Sequence, residues 1–364
     1  MQDAAWLHTL DPFVFRFTPN FGVRWYGLAY LAGFLIGWWL LRIMAKRRWI
    51  LLTPDQVADS ILALVLGVFV GGRVGYALFY QPSLFITFTA APPWWGMLAI
   101  NHGGMSSHGG MAGVILACLW VARRAGVPAL HVMDIVALVA PVGLFFGRVA
   151  NFINGELLGA VVAGPGKPGP WWSVRFPQEL LMQHRPALTP DQQQRLMTLM
   201  DRVSPGWDKP GGAGAVDAIE RLINAVQHGS AGVARELAPL LSARHPSQLY
   251  QALAEGPVLM LILWLLWRKP RRPGVVGAWF LIVYGALRIL TEVWRLPDDQ
   301  LVVQRVLGLS RGQWLSVVMI VAGAVAITLI TTRGRSERLG GWMKTRGRTD
   351  DATADPTRPE SPGS

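Results

Sequence analysis

The sequence predicts an all-α integral membrane protein with about seven transmembrane helices and a small extracytoplasmic head inserted between the fourth and fifth. Three observations carry that expectation. Of 364 residues, 52% are hydrophobic and only 15% charged, whereas a soluble domain carries about 25% charged residues. Apolar runs long enough to span a bilayer recur along the chain. Basic residues gather on alternate connections between those runs.

A spanning helix needs about 20 mainly apolar residues. Seven stretches qualify: 23–43, 58–79, 103–121, 133–151, 248–267, 274–291 and 314–331. Their number and length argue against buried helices of a soluble protein. Lys46, Arg47 and Arg48 follow the first, and Arg123 and Arg124 the third. Arg268, Lys269, Arg271 and Arg272 follow the fifth, and Arg333 and Arg335 the seventh. The connection 81–101 contains no Lys or Arg. The positive-inside bias then sets the N-terminus outside and the C-terminus in the cytoplasm. Arg295, Arg305 and Arg311, on a connection placed outside, fit this rule less well. The first 15 residues have no basic region and contain Asp3 and Asp11, which predicts no cleavable leader. The net charge of +12 would suit a nucleic-acid binder. Its distribution, in short clusters between apolar runs, points to a membrane instead and to no nucleic-acid partner.

The single cysteine, Cys118, lies in the apolar run 114–121. It has no partner for an internal disulfide and reads as a small buried apolar residue.

The segment 158–244 is the predicted head. Its Gly- and Pro-rich stretches 165–170 and 204–214 read as loops. Val216, Ile219, Leu222, Ile223 and Val226 share one helical face. The tail 336–364, charged and rich in Gly, Pro, Ser and Thr, reads as disordered. The chain therefore divides into a first membrane part (1–157), the head (158–244), a second membrane part (245–335) and a cytoplasmic tail (336–364).

Ionisable side chains inside spans cost about 2.5–3.5 kcal/mol each on insertion scales and mark function by default. Here they share a depth. Tyr26 opens the first span from outside, Arg73 lies late in the second, and His108 lies early in the third. Arg148 and Asn151 lie at the outer end of the fourth, followed by Asn154 and Glu156. Arg288, Glu292 and Arg295 form one stripe, at i, i+4 and i+7, at the outer end of the sixth. Polar groups from five spans converge on the outer half of the membrane. Two arginines facing one cavity suit a phosphate, because guanidinium binds its oxygens bidentately and stays charged. Simpler readings compete. Arg73 can snorkel to the interface, Tyr26 can anchor an aromatic belt, and His108 can open a helix. His102 and His108 are wrongly spaced to ligate a metal from one helical face, and no metal site is expected.

The run Gly147-Arg148-Val149-Ala150-Asn151-Phe152-Ile153-Asn154-Gly155-Glu156-Leu157-Leu158-Gly159 resembles the signature of prolipoprotein diacylglyceryl transferases. Further stretches agree in order: Arg24-Trp25-Tyr26-Gly27, Gly71-Gly72-Arg73-Val74-Gly75-Tyr76, Gly104-Met105-Ser106-Ser107-His108-Gly109-Gly110 and Arg244-His245-Pro246-Ser247-Gln248-Leu249-Tyr250. So does Tyr284-Gly285-Ala286-Leu287-Arg288, continued by Glu292, Arg295, Pro297 and Asp298. Two positions depart from the pattern. Ala160 stands where the family often has Arg, and Gln251 where Glu commonly follows the Tyr.

The resemblance implies transfer of a diacylglyceryl group from phosphatidylglycerol to the lipobox cysteine of a prolipoprotein signal peptide. It implies release of glycerol phosphate, no cofactor, membrane lipids as surroundings, and the bacterial inner (plasma) membrane as location. It also implies roles for Tyr26, His108, Arg148, Asn151, Glu156, Gly159, Arg288 and Glu292. Taken with the residue reading, the expected catalytic groups are His108, Arg148, Glu156 and Arg288. The expected substrate-binding groups are Tyr26, Arg73, Asn151, Asn154, Gly159, Glu292 and Arg295. A flippase for an anionic amphiphile would use the same cavity, but the chain has no internal repeat to support it. An intramembrane hydrolase would need a nucleophile–base pair or metal ligands, and no such set is visible. A non-catalytic scaffold would leave the polar cluster without a purpose.

Overall fold

The computed structural model describes residues 3–18, 21–90, 92–99, 103–182, 186–209, 212–296, 305–306, 308–333 and 336–342. His102, Pro297, Asp298, Arg335 and the tail 343–364 lie outside the described residues. Among the described residues, six helices are long and apolar enough to cross a membrane: Trp25–Lys46 (α1), Pro54–Phe79 (α2), Ala129–Asn154 (α4), Ser247–Trp267, Val275–Glu292 (α10) and Gly312–Thr332. The last is the body of the helix Arg311–Arg333 (α11). The remaining expected span is also a helix, Ser107–Ala125 (α3). Its polar ends, Ser107 with His108 and Arg123 with Arg124, keep it below the hydropathy of the other six. The mostly helical chain is an integral membrane protein by these helices.

The described chain divides into two units. The first comprises Met1–Gly33, Pro141–Met260 and Leu281–Val321; the second comprises Phe34–Ala140, Leu261–Phe280 and Ala322–Ser364.

In the second unit, α2 starts with a capping box. The Thr53 side chain accepts from the Gln56 backbone, the Gln56 side chain returns the bond, and Pro54 takes the first helical position. Glycines set how α2 meets α3. A Cβ on Gly113 would overlap the Gly67 carbonyl, and one on Gly109 would overlap the Gly71 carbonyl. The backbones approach so closely that only glycine fits, the form of packing expected where no hydrophobic effect drives helices together. The α3 helix ends on Gly126 in the left-handed region (φ 67°). Asp134, buried in α4, accepts from the backbone N–H groups of Gly274 and Gly277, each at 2.7 Å. It caps the N-terminus of α10 and satisfies donors that lipid could not.

In the first unit, the hairpin of Phe13–Thr18 (β2) and Phe21–Arg24 (β3) leads directly into α1. The segment 158–244 folds around its own core. The helices Pro190–Val203 (α5), Gly214–Gln227 (α6) and Ala231–Leu237 (α7) bury Leu196, Leu199, Met200, Leu222, Val226 and Leu237 against one another. Each such side chain contributes about 1.5–3 kcal/mol on burial. The predicted face of α6 is correct at Ile219, Leu222, Ile223 and Val226. Val216, in the first turn, is 60% exposed instead. Beside the helices lies a small sheet in the order β1-β5-β6-β4. Its strands are Trp6–Leu7 (β1), Val161–Ala163 (β4), Val174–Arg175 (β5) and Ala243–Arg244 (β6). The parallel partner β1 comes from the N-terminus, a contribution the sequence patterns did not reveal.

His8 fastens this N-terminal segment. It is fully buried among Trp6, Phe152 and Phe176, and its Nε2 hydrogen-bonds the Phe152 carbonyl at 2.8 Å. Burial lowers its pKa from the ordinary 6.5 to about 4. The unfolded chain therefore takes up a proton at His8 between those values and the folded chain does not. The stabilisation is fully present above pH 6.5 and is lost as pH falls towards 4. It amounts to about 3 kcal/mol at most. Thermal melting in detergent is expected to show this loss between pH 6.5 and 4, and His8→Gln to remove that part of the dependence. An unchanged pH profile in the variant would assign the acid sensitivity elsewhere.

Candidate active site

The last turns of α4 carry Arg148, Asn151 and Asn154, and the chain then turns through Gly155 (φ 66°). Arg148 reaches Glu255 bidentately: its Nε donates to Oε2 at 2.9 Å and its Nη2 to Oε1 at 3.3 Å. Glu255 is fully buried. It stands in a π turn, Ala254–Val258, between the helices Ser247–Leu253 (α8) and Leu259–Trp267 (α9). Such turns recur at functional sites, and this one contains Pro257. From α10, Arg288 faces the same carboxylate, with Nη1 at 3.6 Å from Oε1. It also lies 3.9 Å from Glu292, which pairs with Arg295 at 3.7 Å and accepts from the Ser310 hydroxyl. Gly312 leaves the room for this group, since a Cβ there would come within 3.1 Å of Glu292 Oε1.

Around this centre the Tyr26 hydroxyl donates to Asn151 Oδ1 at 2.9 Å. The Asn154 amide donates to the exposed Glu156 carboxylate at 3.1 Å. Gly159 is pinned from three sides. Arg244 Nη1 donates to its carbonyl at 3.1 Å, the Ala160 N–H donates to Trp294, and a Cβ at 159 would overlap the His245 carbonyl. Arg244 in turn is fully buried against Glu179, at 2.8 Å.

Nine of the expected site residues thus fall in one unit: Tyr26, Arg148, Asn151, Asn154, Glu156, Gly159, Arg288, Glu292 and Arg295. Arg73 and His108 belong to the other. His108 is exposed in the first turn of α3. Arg73 is buried, and it directs hydrogen bonds to five backbone carbonyls, those of Gly96, Met97, Ala99, Gly103 and Gly104, at 2.6–3.2 Å. That geometry favours an anchor for the loop after α2 over a contact with substrate.

A cluster of two arginines from two helices, meeting over a buried carboxylate at the end of a Gly-Arg…Asn…Asn…Glu run, can hold an anion and stabilise charge developing on it. The model of the family "Prolipoprotein diacylglyceryl transferase" matches residues 12–329. The chain belongs to the prolipoprotein diacylglyceryl transferase family. Its relatives include the phosphatidylglycerol–prolipoprotein diacylglyceryl transferase of Bdellovibrio bacteriovorus, 39% identical, the alignment covering 93% of this chain and 97% of that one. The enzymes of the same name from Geobacter sulfurreducens and Serratia proteamaculans are each 37% identical. Those alignments cover 89% and 90% of this chain and 96% of each relative.

In this transferase the residue that sequence reasoning missed is Glu255. The signal was present, because an acidic residue in the fifth apolar run meets the same criterion that singled out Arg148. Among the described residues, no three His, Cys, Asp or Glu side chains come together in a way that would hold a metal ion.

Proposed function

We propose that this transferase moves the diacylglyceryl group of phosphatidylglycerol onto the thiol of the lipobox cysteine in a prolipoprotein signal peptide, the first step of lipoprotein maturation. The observation that carries the reading is the meeting of Arg148 and Arg288 at Glu255. In the reaction the thiol loses its proton and sulfur attacks the glyceryl carbon. The carbon–oxygen bond to the phosphate breaks, and glycerol phosphate leaves. Arg148 and Arg288 bind the phosphate and stabilise the charge that builds on the leaving oxygen. Charged hydrogen bonds contribute about 1.5–3 kcal/mol each, so two supply a few powers of ten in rate. The thiol, with an ordinary pKa of about 8.5, needs a base. His108 has the right chemistry for that role, and the exposed Glu156 carboxylate is the alternative. Tyr26, Asn151, Asn154, Gly159, Glu292 and Arg295 shape the lipid-binding surround. The enzyme acts in the bacterial inner membrane, N-terminus outside and C-terminus in the cytoplasm, with 158–244 as an extracytoplasmic head.

The test is a reconstituted reaction of purified protein, phosphatidylglycerol and a short lipobox peptide. The expected result is a diacylglyceryl mass increase on the peptide, matched by released glycerol phosphate and absent with a Cys→Ser peptide. Folded protein that gave no mass shift would overturn the reading. His108→Gln is expected to lower turnover and flatten its pH profile, and native turnover across pH would move the base to Glu156.

A further inference from the structure

Glu255 is a buried negative charge at the place assigned to an anionic substrate, and its role is not explained by binding. Its geometry is specific. Oε2 and Oε1 take the Arg148 fork at 2.9 and 3.3 Å, while Arg288 stands at 3.6 Å, paired by charge but beyond a good hydrogen bond. Glu292 stands 3.7 Å from Arg295 and 3.9 Å from Arg288. Arg148, Arg288 and Arg295 against Glu255 and Glu292 leave these five groups with one net positive charge. The donor lipid is a phosphodiester with one negative charge. The leaving glycerol phosphate is a monoester with a second pKa of about 6 and carries about 1.5 to 2 negative charges at pH 7. At a carboxylate as buried as Glu255 a unit of charge weighs heavily. A centre with one positive charge matches the diester. Without Glu255 it would carry two and match the product instead.

We infer that Glu255 is a positioning residue that also sets the charge of the site. It fixes both guanidinium groups and holds the centre at one positive charge, so that the diester binds and the monoester leaves. The inference rests on the assignment of Arg148 and Arg288 to the phosphate. Glu255 touches neither reacting atom. It acts through the two arginines, and its removal changes which ligand they prefer.

Glu255→Gln keeps the shape and removes the charge. Binding of glycerol phosphate to the detergent-purified enzyme, followed by calorimetry, is expected to tighten by about tenfold or more in this variant. With phosphatidylglycerol and peptide, kcat is expected to fall more than kcat/KM, because product release becomes slow. The double variant Glu255→Gln/Arg288→Gln returns the net charge to one and is expected to bring glycerol phosphate affinity back towards the native value. Unchanged or weaker glycerol phosphate binding in folded Glu255→Gln overturns the inference. Should that variant not fold, Glu255→Met, uncharged and of similar length, takes its place and must tighten product binding likewise; no tightening overturns the inference equally. Failure of the underlying assignment looks different: Arg148→Ala and Arg288→Ala would then both bind glycerol phosphate as the native enzyme does.

Discussion

Replacing Arg148 with Ala is expected to lower kcat/KM by about three powers of ten and to destabilise the folded protein as well. The first effect follows from its proposed place at the leaving phosphate, where loss of one fixed donor costs about two to three powers of ten and loss of the charge adds to that. The second follows from Glu255. That carboxylate is fully buried, and Arg148 is its hydrogen-bonded partner on both oxygens. Breaking such a pair from one side costs about 3–5 kcal/mol, because the remaining charge stays buried. Arg288, at 3.6 Å, offsets part of this. Arg148→Lys separates the two effects. It keeps the charge near Glu255 and loses the planar fork, so melting should stay close to native while kcat/KM falls by about one to two powers of ten. Turnover of the lipobox peptide and thermal melting in the same detergent measure both. A native rate in Arg148→Lys would remove the bidentate clamp from the mechanism. An unchanged melting point in Arg148→Ala would mean that Arg288 alone satisfies Glu255.

Gly159→Ala is the second large effect, and it needs no loss of charge. A methyl group there would overlap the His245 carbonyl oxygen and lie 2.9 Å from its carbon. Neither side can yield cheaply. The His245 N–H donates to Ala160 at 3.0 Å, the Ala160 N–H to Trp294 at 2.9 Å, and the Leu296 N–H to Leu158 at 3.2 Å. Arg295 sits between the last two of these bonds. Displacing the strand therefore displaces Arg295 and, through Glu292, the surroundings of Arg288. Overpacking of this kind costs about 1–3 kcal/mol in stability. Misplacing a clamp by about 1 Å costs about a hundredfold in rate. The rate should thus fall further than the melting point suggests. Native turnover in Gly159→Ala would show that the strand moves without carrying Arg295 with it.

The membrane helices were legible because lipid imposes one rule on every residue it touches; six of the expected runs obey it among the described residues, and the third is a less apolar helix. The placement of Arg148, Asn151, Arg288 and Glu292 in one unit was legible for the complementary reason: polar side chains that violate the rule need one another. Two violations were passed over. Asp134 proves to cap α10, and Glu255 proves to pair with Arg148 and Arg288. Both lie inside apolar runs, and only three-dimensional packing tells the cap from the counter-charge. Pairing of Trp6 with Val174 joins residues far apart in the chain, and two-residue strands carry no periodicity to announce it. Val216 followed the helical period of its neighbours, yet the first turn of α6 leaves it exposed.

Arg73 carries a different lesson about how this chain tolerates change. Its hydrogen bonds go to main-chain oxygens, at Gly96, Met97, Ala99, Gly103 and Gly104. Every amino acid offers that same oxygen, so Arg73 reads the path of the loop and not its spelling. Most side chains along it are left open to evolutionary drift while the arginine is not. Gly103 and Gly104 are exceptions, with φ of 82° and 79°, and at Gly104 the closeness of Arg73 and Tyr76 also leaves no room for a side chain.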